Sequence, residues 1–168
     1  LTLSCASFGY QFTGRISFPI KDLTGKIAAF NCRTQSPTDV PKYIIHPPKA
    51  VLPLFPARVR PIKGRVILVE GIFDALNLHD KGLTNSLCCF GTRNIDIEKL
   101  KLLKMQGVEG IDILFDPDAA GQEAAVGIVE MCEIAGLLSK NIKLPIQLED
   151  AGALTKEKVK DLKETLYG

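Results

Sequence analysis

The stretch Ile113-Leu-Phe-Asp-Pro-Asp-Ala-Ala-Gly-Gln122 decides the fold. Its apolar start has the pattern of a buried strand and its small residues from Ala119 open a helix, so Asp116 and Asp118 fall at a strand-to-helix junction. In open parallel sheets, ligands bind outside the carboxyl ends of the strands, and acids at such a junction face a cleft. A second junction has the same form. Arg65-Val-Ile-Leu-Val69 runs directly into Glu70-Gly71, ahead of a helical stretch that contains Asp74. Two strand ends therefore offer carboxylates to one site, and an oxygen-only set of this kind suits Mg²⁺. Each acid also has a plainer reading. Asp118 can cap the helix that follows it, and Asp with Pro is ordinary turn chemistry. The metal reading draws its weight from context, because the acids sit at the ends of two different strands.

From residue 65 onward, strand patterns near 65–69, 86–90, 111–115 and 141–146 alternate with helical patterns near 72–82, 94–106 and 119–137. A last helix near 155–166 has Thr155 as its expected N-cap. This alternation predicts an α/β domain with a parallel sheet and right-handed crossovers. Upstream, 15–20 and 26–33 form an expected hairpin joined by Lys21-Asp-Leu-Thr-Gly25, and a short strand begins at Lys42. Pro47, Pro48, Pro53, Pro56 and Pro61 then argue against helix or central strand and suggest a linker. The expected division is a small β-rich unit with its linker over 1–64 and the α/β domain over 65–168.

The 168 residues are 46% hydrophobic, enough to bury a substantial core. No apolar run approaches the roughly 20 residues needed to span a bilayer, and the opening lacks the pattern of a secretory signal, so a cytoplasmic protein with no membrane partner is expected. Cys5, Cys32, Cys88, Cys89 and Cys132 show no metal-ligand spacing, and His46 and His79 are isolated; the cysteines suit core positions. The net charge of +2 hides an asymmetry. Residues 1–65 carry ten Lys or Arg against two Asp or Glu, a balance of +8, while 66–168 carry eleven against seventeen, a balance of −6. Basic surfaces attract phosphate backbones, whereas an acidic site needs divalent cations before phosphate approaches. Both halves suit a nucleic-acid enzyme, although a basic excess also serves simply as a solubilising surface.

Val69-Glu-Gly-Ile-Phe-Asp-Ala-Leu76, Phe90-Gly-Thr92 and Leu114-Phe-Asp-Pro-Asp-Ala-Ala-Gly-Gln122 resemble the successive motifs of a TOPRIM domain. Gly14-Arg-Ile-Ser-Phe-Pro-Ile-Lys-Asp-Leu-Thr-Gly-Lys26 and Pro41-Lys-Tyr43 resemble the basic subdomain that precedes TOPRIM in bacterial DnaG-type primases. The resemblance covers about 14–166 and implies a Rossmann-like parallel sheet flanked by helices, preceded by a small basic β-rich subdomain. It further implies that Glu70 is the catalytic carboxylate, acting in proton transfer or metal binding, and that Asp116, Asp118 and Asp150 join it in holding Mg²⁺ or Mn²⁺. Asp74, Gly91 and Thr92 would shape the nucleotide site. Arg15, Arg33, Lys42 and Tyr43 match positions that contact template or incoming nucleotide, and their plainer reading is as exposed strand residues. Tyr43 and Phe30 are candidates for base stacking.

The implied activity is metal-dependent synthesis of short RNA primers on a single-stranded DNA template from ribonucleoside triphosphates, with a replicative helicase as partner. The chain itself would be a portion of a larger primase or a reduced relative. Two departures stand out. Leu148-Glu-Asp-Ala-Gly152 keeps Asp150 but has Gly152 where such primases carry a second Asp, and the segment between Tyr43 and Arg65 is short. A TOPRIM nuclease using the same acids, and a nucleic-acid or nucleotide-binding module without turnover, are the alternatives. A topoisomerase is disfavoured because Tyr10, Tyr43 and Tyr167 have no suggestive setting.

Overall fold

Arg15–Lys21 (β1), Ile27–Thr34 (β2) and Tyr43–His46 (β3) pair as an antiparallel three-stranded sheet in a computed structural model that describes residues 12–144 and 150–168. The expected hairpin is present, and local chemistry explains its turn. One Asp22 carboxylate oxygen accepts from the Thr24 main chain (2.8 Å), the Thr24 hydroxyl (2.6 Å) and the Lys26 main chain (3.1 Å), while Gly25 takes a φ of +89° that a residue with a Cβ rarely adopts. Register places Arg33 of β2 between Ile16 of β1 and Tyr43 of β3.

The second unit contains β4 (Arg65–Val69), α1 (Ile72–Asp80), β5 (Ser86–Cys88), α2 (Ile97–Met105), β6 (Gly110–Ile113), α3 (Ala119–Ala135), β7 (Leu138–Asn141) and α4 (Lys156–Tyr167). Its four strands form a parallel sheet in the order β5-β4-β6-β7. Alternation along the central strands sorts the packing. Val66, Leu68, Ile111 and Ile113 join Leu100 and Leu103 of α2 and Ala125, Ile128 and Cys132 of α3 in one core. The intervening Ile67 and Asp112 are also buried and belong to the opposite face of the sheet. There Asp112 accepts from Arg65 Nη2 (2.7 Å) and Nε (3.1 Å) and from the Tyr167 hydroxyl (3.1 Å), which in turn accepts from Asn85 Nδ2 (2.9 Å).

Helix ends follow capping chemistry. Asp96 accepts from Lys99 N at 2.8 Å, Asp118 from Gly121 N at 2.7 Å, and Thr155 from Lys158 N at 3.4 Å. Gly136, left-handed at φ +69°, ends α3. That early stop moves the fourth strand of the sheet to Leu138–Asn141, ahead of the expected 141–146, of which 145–149 lie outside the described residues. β5 and β6 are likewise shorter than expected, and α2 begins at Ile97 because Asp96 caps it.

The units divide between Pro53 and Leu54, eleven residues before the expected 64/65 boundary. The reason is that the proline-rich stretch does more than link. Phe55 N donates to Cys88 O (3.0 Å) and Cys88 N to Phe55 O (2.7 Å), adding a short antiparallel bridge beside β5. Cys32, Cys88, Cys89 and Cys132 are buried free thiols, while Cys5 and Tyr10 lie outside the described residues. Among the described residues, no helix is long and apolar enough to cross a membrane.

Candidate functional site

The chain passes from β4 to β5 on one side and then to β6 on the other, which makes the carboxyl ends of β4 and β6 the topological switch point. Glu70 directly follows β4, and Asp116 lies three residues beyond β6. The structure joins them, with Glu70 Oε1 accepting from Asp116 N at 3.2 Å. Gly121, in the first turn of α3, permits this approach. A Cβ at that position would stand 2.5 Å from the Asp116 carbonyl oxygen and 3.0 Å from Glu70 Oε1. Gln122 Nε2 donates to the same carbonyl at 3.2 Å and holds the turn from its other side.

Asp74 and Asp150 extend the acidic set. Asp74 is 8% exposed, and its Oδ2 accepts from Gly71 N at 2.8 Å. Asp150 Oδ1 accepts from Ala153 N at 3.0 Å, capping a 3-10 turn. Gly152 brings its main chain between the two: a Cβ there would lie 2.9 Å from Asp74 Oδ1 and 3.1 Å from Asp150 Oδ1. Burial, with the charges of Asp150 and Asp116 adding to it, pushes Asp74 up to about 6. Burial first, and then Asp116 and Asp118, raise Glu70 against the opposing pull of the Asp116 N–H; burial, Asp150 and Asp118 raise Asp116.

Among the described residues, none of these five acids pairs with a Lys or Arg. No three of the described His, Cys, Asp or Glu side chains are gathered closely enough to enclose an ion. An oxygen-only set with uncompensated negative charge nevertheless fits Mg²⁺, which keeps several waters and takes one or two carboxylates together with substrate phosphates. Asp118 serves as the α3 cap through Oδ1, and one carboxylate oxygen spent on a cap leaves the other for a ligand.

A cleft of about 510 Å³ opens beside Glu70, lined also by Phe90, Gly91, Thr92, Arg93 and Asn94. Gly91 and Thr92 were named from the sequence as residues shaping the site and Phe90 stood in the same motif, whereas Arg93 was not named. Phe90 adopts φ +57°, uncommon for a bulky side chain, and Gly91 φ +96°. The loop is fastened by Gly91 N to Glu70 O (3.1 Å) and by Asn94 Nδ2 to Cys89 O (2.9 Å).

In the first unit, the four expected contact residues separate. Arg15 is 5% exposed and donates to the carbonyls of Pro41 (2.8 Å), Lys42 (3.3 Å) and Cys32 (3.5 Å). Its guanidinium fastens the segment leading into β3, so Arg15 is not the exposed strand residue of the plainer reading. Arg33 Nη1 donates to the Tyr43 hydroxyl at 2.5 Å, with its guanidinium carbon 5.2 Å from the ring centroid. Lys42 is exposed, and with Arg33, Thr34, Ser36 and Asp39 it lines a second cleft of about 640 Å³.

The Toprim-like family matches residues 67–162. The DNA primase of Chlamydia trachomatis serovar D is 31% identical over 166 residues, covering 94% of this chain and 28% of that protein. The structure of the Aquifex aeolicus primase, comprising its zinc-binding and RNA polymerase domains, aligns with a TM-score of 0.79 at 29% identity, covering 96% of this chain and 42% of that one. The DnaG primase catalytic domain solved bound to single-stranded DNA aligns with a TM-score of 0.70 over 90% of this chain and 50% of that one; at 23% identity this is a likeness of fold. The chain thus spans under a third of the length of the curated relatives it matches.

Proposed function

This chain belongs to the Toprim-like family, in its branch of bacterial DnaG-type DNA primases, and from that premise we propose that it is the catalytic-core portion of an enzyme that joins ribonucleotides into short RNA primers on single-stranded DNA. The observation that carries the proposal is Glu70 at the switch point, half-buried, raised in proton affinity and tethered through one oxygen to Asp116 N.

Burial raises the pKa of Glu70, and a carboxylate with a raised pKa is a stronger base than a free one. The tether fixes Oε1 and leaves Oε2 to accept a proton from the attacking 3′-hydroxyl of the growing primer. Asp116 and Asp118, with Asp150, would hold Mg²⁺ or Mn²⁺, which when bound would supply charge neutralisation for the triphosphate. Asp74 and the Gly91–Thr92 turn shape the walls of the nucleotide site. Arg33, Lys42 and Tyr43, in the basic unit, supply phosphate attraction and a stacking surface for the template. The protein's contribution is positioning and electrostatics, as phosphoryl transfer requires.

The test is incubation with Mg²⁺ or Mn²⁺, single-stranded DNA and labelled ribonucleotides, with products resolved by length. Wild type should make short oligoribonucleotides, and Glu70→Gln and Asp116→Asn should each lower the yield by roughly 100-fold or more. Shortened DNA in place of primers would overturn the proposal in favour of a nuclease. Nucleotide binding without any product would favour a module without turnover, the reading that Gly152 in place of an Asp supports.

A further inference from the structure

Among the described residues that line the cleft beside Glu70, Arg93 is the single cation. It stands exposed on the turn at Thr92–Asn94, in a unit whose sequence from 66 to 168 is net acidic. Five carboxylates lie toward the carboxyl side of the same sheet, yet among the described residues Arg93 makes no ion pair with any of them. Glu70 is the one acid among the described residues that line the cleft, and Arg93 makes no ion pair with it. Here its charge is uncommitted.

The turn that carries it is well fastened. Gly91 N donates to Glu70 O (3.1 Å), so the turn hangs from the same residue that presents the Glu70 carboxylate. Asn94 Nδ2 donates to Cys89 O (2.9 Å), and Lys99 Nζ donates to Asn94 Oδ1 (2.9 Å). Phe90, just before the turn, keeps its left-handed backbone while its ring packs 6.3 Å from that of Phe55. Backbone held in a sparsely populated region persists where the surroundings determine it, and such positions gather at ligand sites. The base of the Arg93 side chain is therefore fixed relative to Glu70, which limits the ordering cost of binding.

We propose that Arg93 binds a phosphate of the incoming ribonucleoside triphosphate, with the Thr92 hydroxyl as a second donor. This rests on the primase reading for the identity of the substrate. A guanidinium fork matches phosphate oxygens bidentately, and a polyphosphate arriving with divalent cations presents several oxyanions to one fork. The template is a poorer occupant. Grip on a long polyanion comes from several cations acting together, and the described lining of this cleft supplies one.

The experiment uses the full chain as wild type, Arg93→Ala and Arg93→Lys, with melting temperatures compared to establish equal folding. Binding of GTP in the presence of Mg²⁺, of guanosine, and of a single-stranded DNA oligonucleotide is measured for each. Arg93→Ala should weaken GTP binding by about tenfold or more, leave guanosine unchanged and move DNA affinity less than about twofold. Arg93→Lys should recover only part of the loss, since a point charge lacks the fork. Unchanged GTP affinity in Arg93→Ala, or a wild type that binds no GTP, would overturn the assignment. Selective loss of DNA affinity would also overturn it, making Arg93 a template contact. Primer synthesis by the wild type is scored separately. Primers with Arg93-independent GTP binding sink this inference alone, whereas Arg93-dependent GTP binding without primers sinks the primase reading alone.

Discussion

Two buried aspartates in the parallel-sheet unit have opposite surroundings. Asp112, fully buried on β6, meets a guanidinium at 2.7 Å and a tyrosine hydroxyl at 3.1 Å. Asp74, nearly as buried on α1, meets a main-chain N–H and the charges of other acids, and rises to about 6. The network around Asp112 joins the start of β4 and the residue before β5, whereas the acids around Asp74 gather where the strands end. One end of the sheet pairs its polar groups with one another. The other leaves negative charge uncompensated, which costs stability and suits a site that receives cations and phosphates.

The largest expected effect tests the paired end. Asp112→Ala removes the partner of Arg65, whose side chain is 23% exposed, and of the Tyr167 hydroxyl, and should destabilise the fold by about 3 kcal/mol, measured by urea unfolding at pH 7. A loss below about 1 kcal/mol would dissolve the contrast between the two ends.

The acidic end should respond with the opposite sign. The folded-state pKa of Asp74 lies above its ordinary value of 3.8, so the unfolded chain ionises first, and stability falls as pH rises from about 4 to about 6. Asn at this position cannot ionise, and its amide oxygen can still accept from Gly71 N. Asp74→Asn should therefore be more stable than wild type by about 3 kcal/mol at pH 8 in EDTA, with the gain fading below about pH 4. A difference independent of pH would mean that charge burial is not what sets Asp74 apart from Asp112.

How much of this was legible in the sequence depended on the range of the interaction. The junctions at Glu70 and Asp116 were visible because a buried strand, an acid and a helix start follow one another along the chain. Asp118 as a cap and Thr155 as a cap were visible for the same local reason. β7 was read late because Leu138-Ser-Lys-Asn141 is a half-exposed edge strand without the apolar run that marks a central one, and only pairing with β6 identifies it. The Arg65–Asp112 pair spans 47 positions and has no local signature, since either residue alone looks like an ordinary strand charge. The burial of Arg15 was not legible because one strand position faces in or out according to register. The left-handed backbone of Phe90 escaped because such a conformation at a non-glycine residue leaves no mark in composition, and Arg93 escaped because a cleft depends on neighbours from other elements.

The smallest effect sharpens the comparison most, because it asks whether the paired end depends on one residue or on several. Tyr167→Phe removes only the hydroxyl that links Asn85 to Asp112. Asp112 would keep both contacts from Arg65, and Asn85 Nδ2 would keep its bond to the Arg65 carbonyl at 2.9 Å. No atom of the network would be left without a partner on account of the change, so the expected cost in urea unfolding is about 1 kcal/mol, the net worth of an ordinary hydrogen bond. A cost near that of Asp112→Ala would mean that α4, through its last residues, secures the buried pair. A cost near zero would mean that the Arg65–Asp112 contact alone separates the paired end of the sheet from the acidic end.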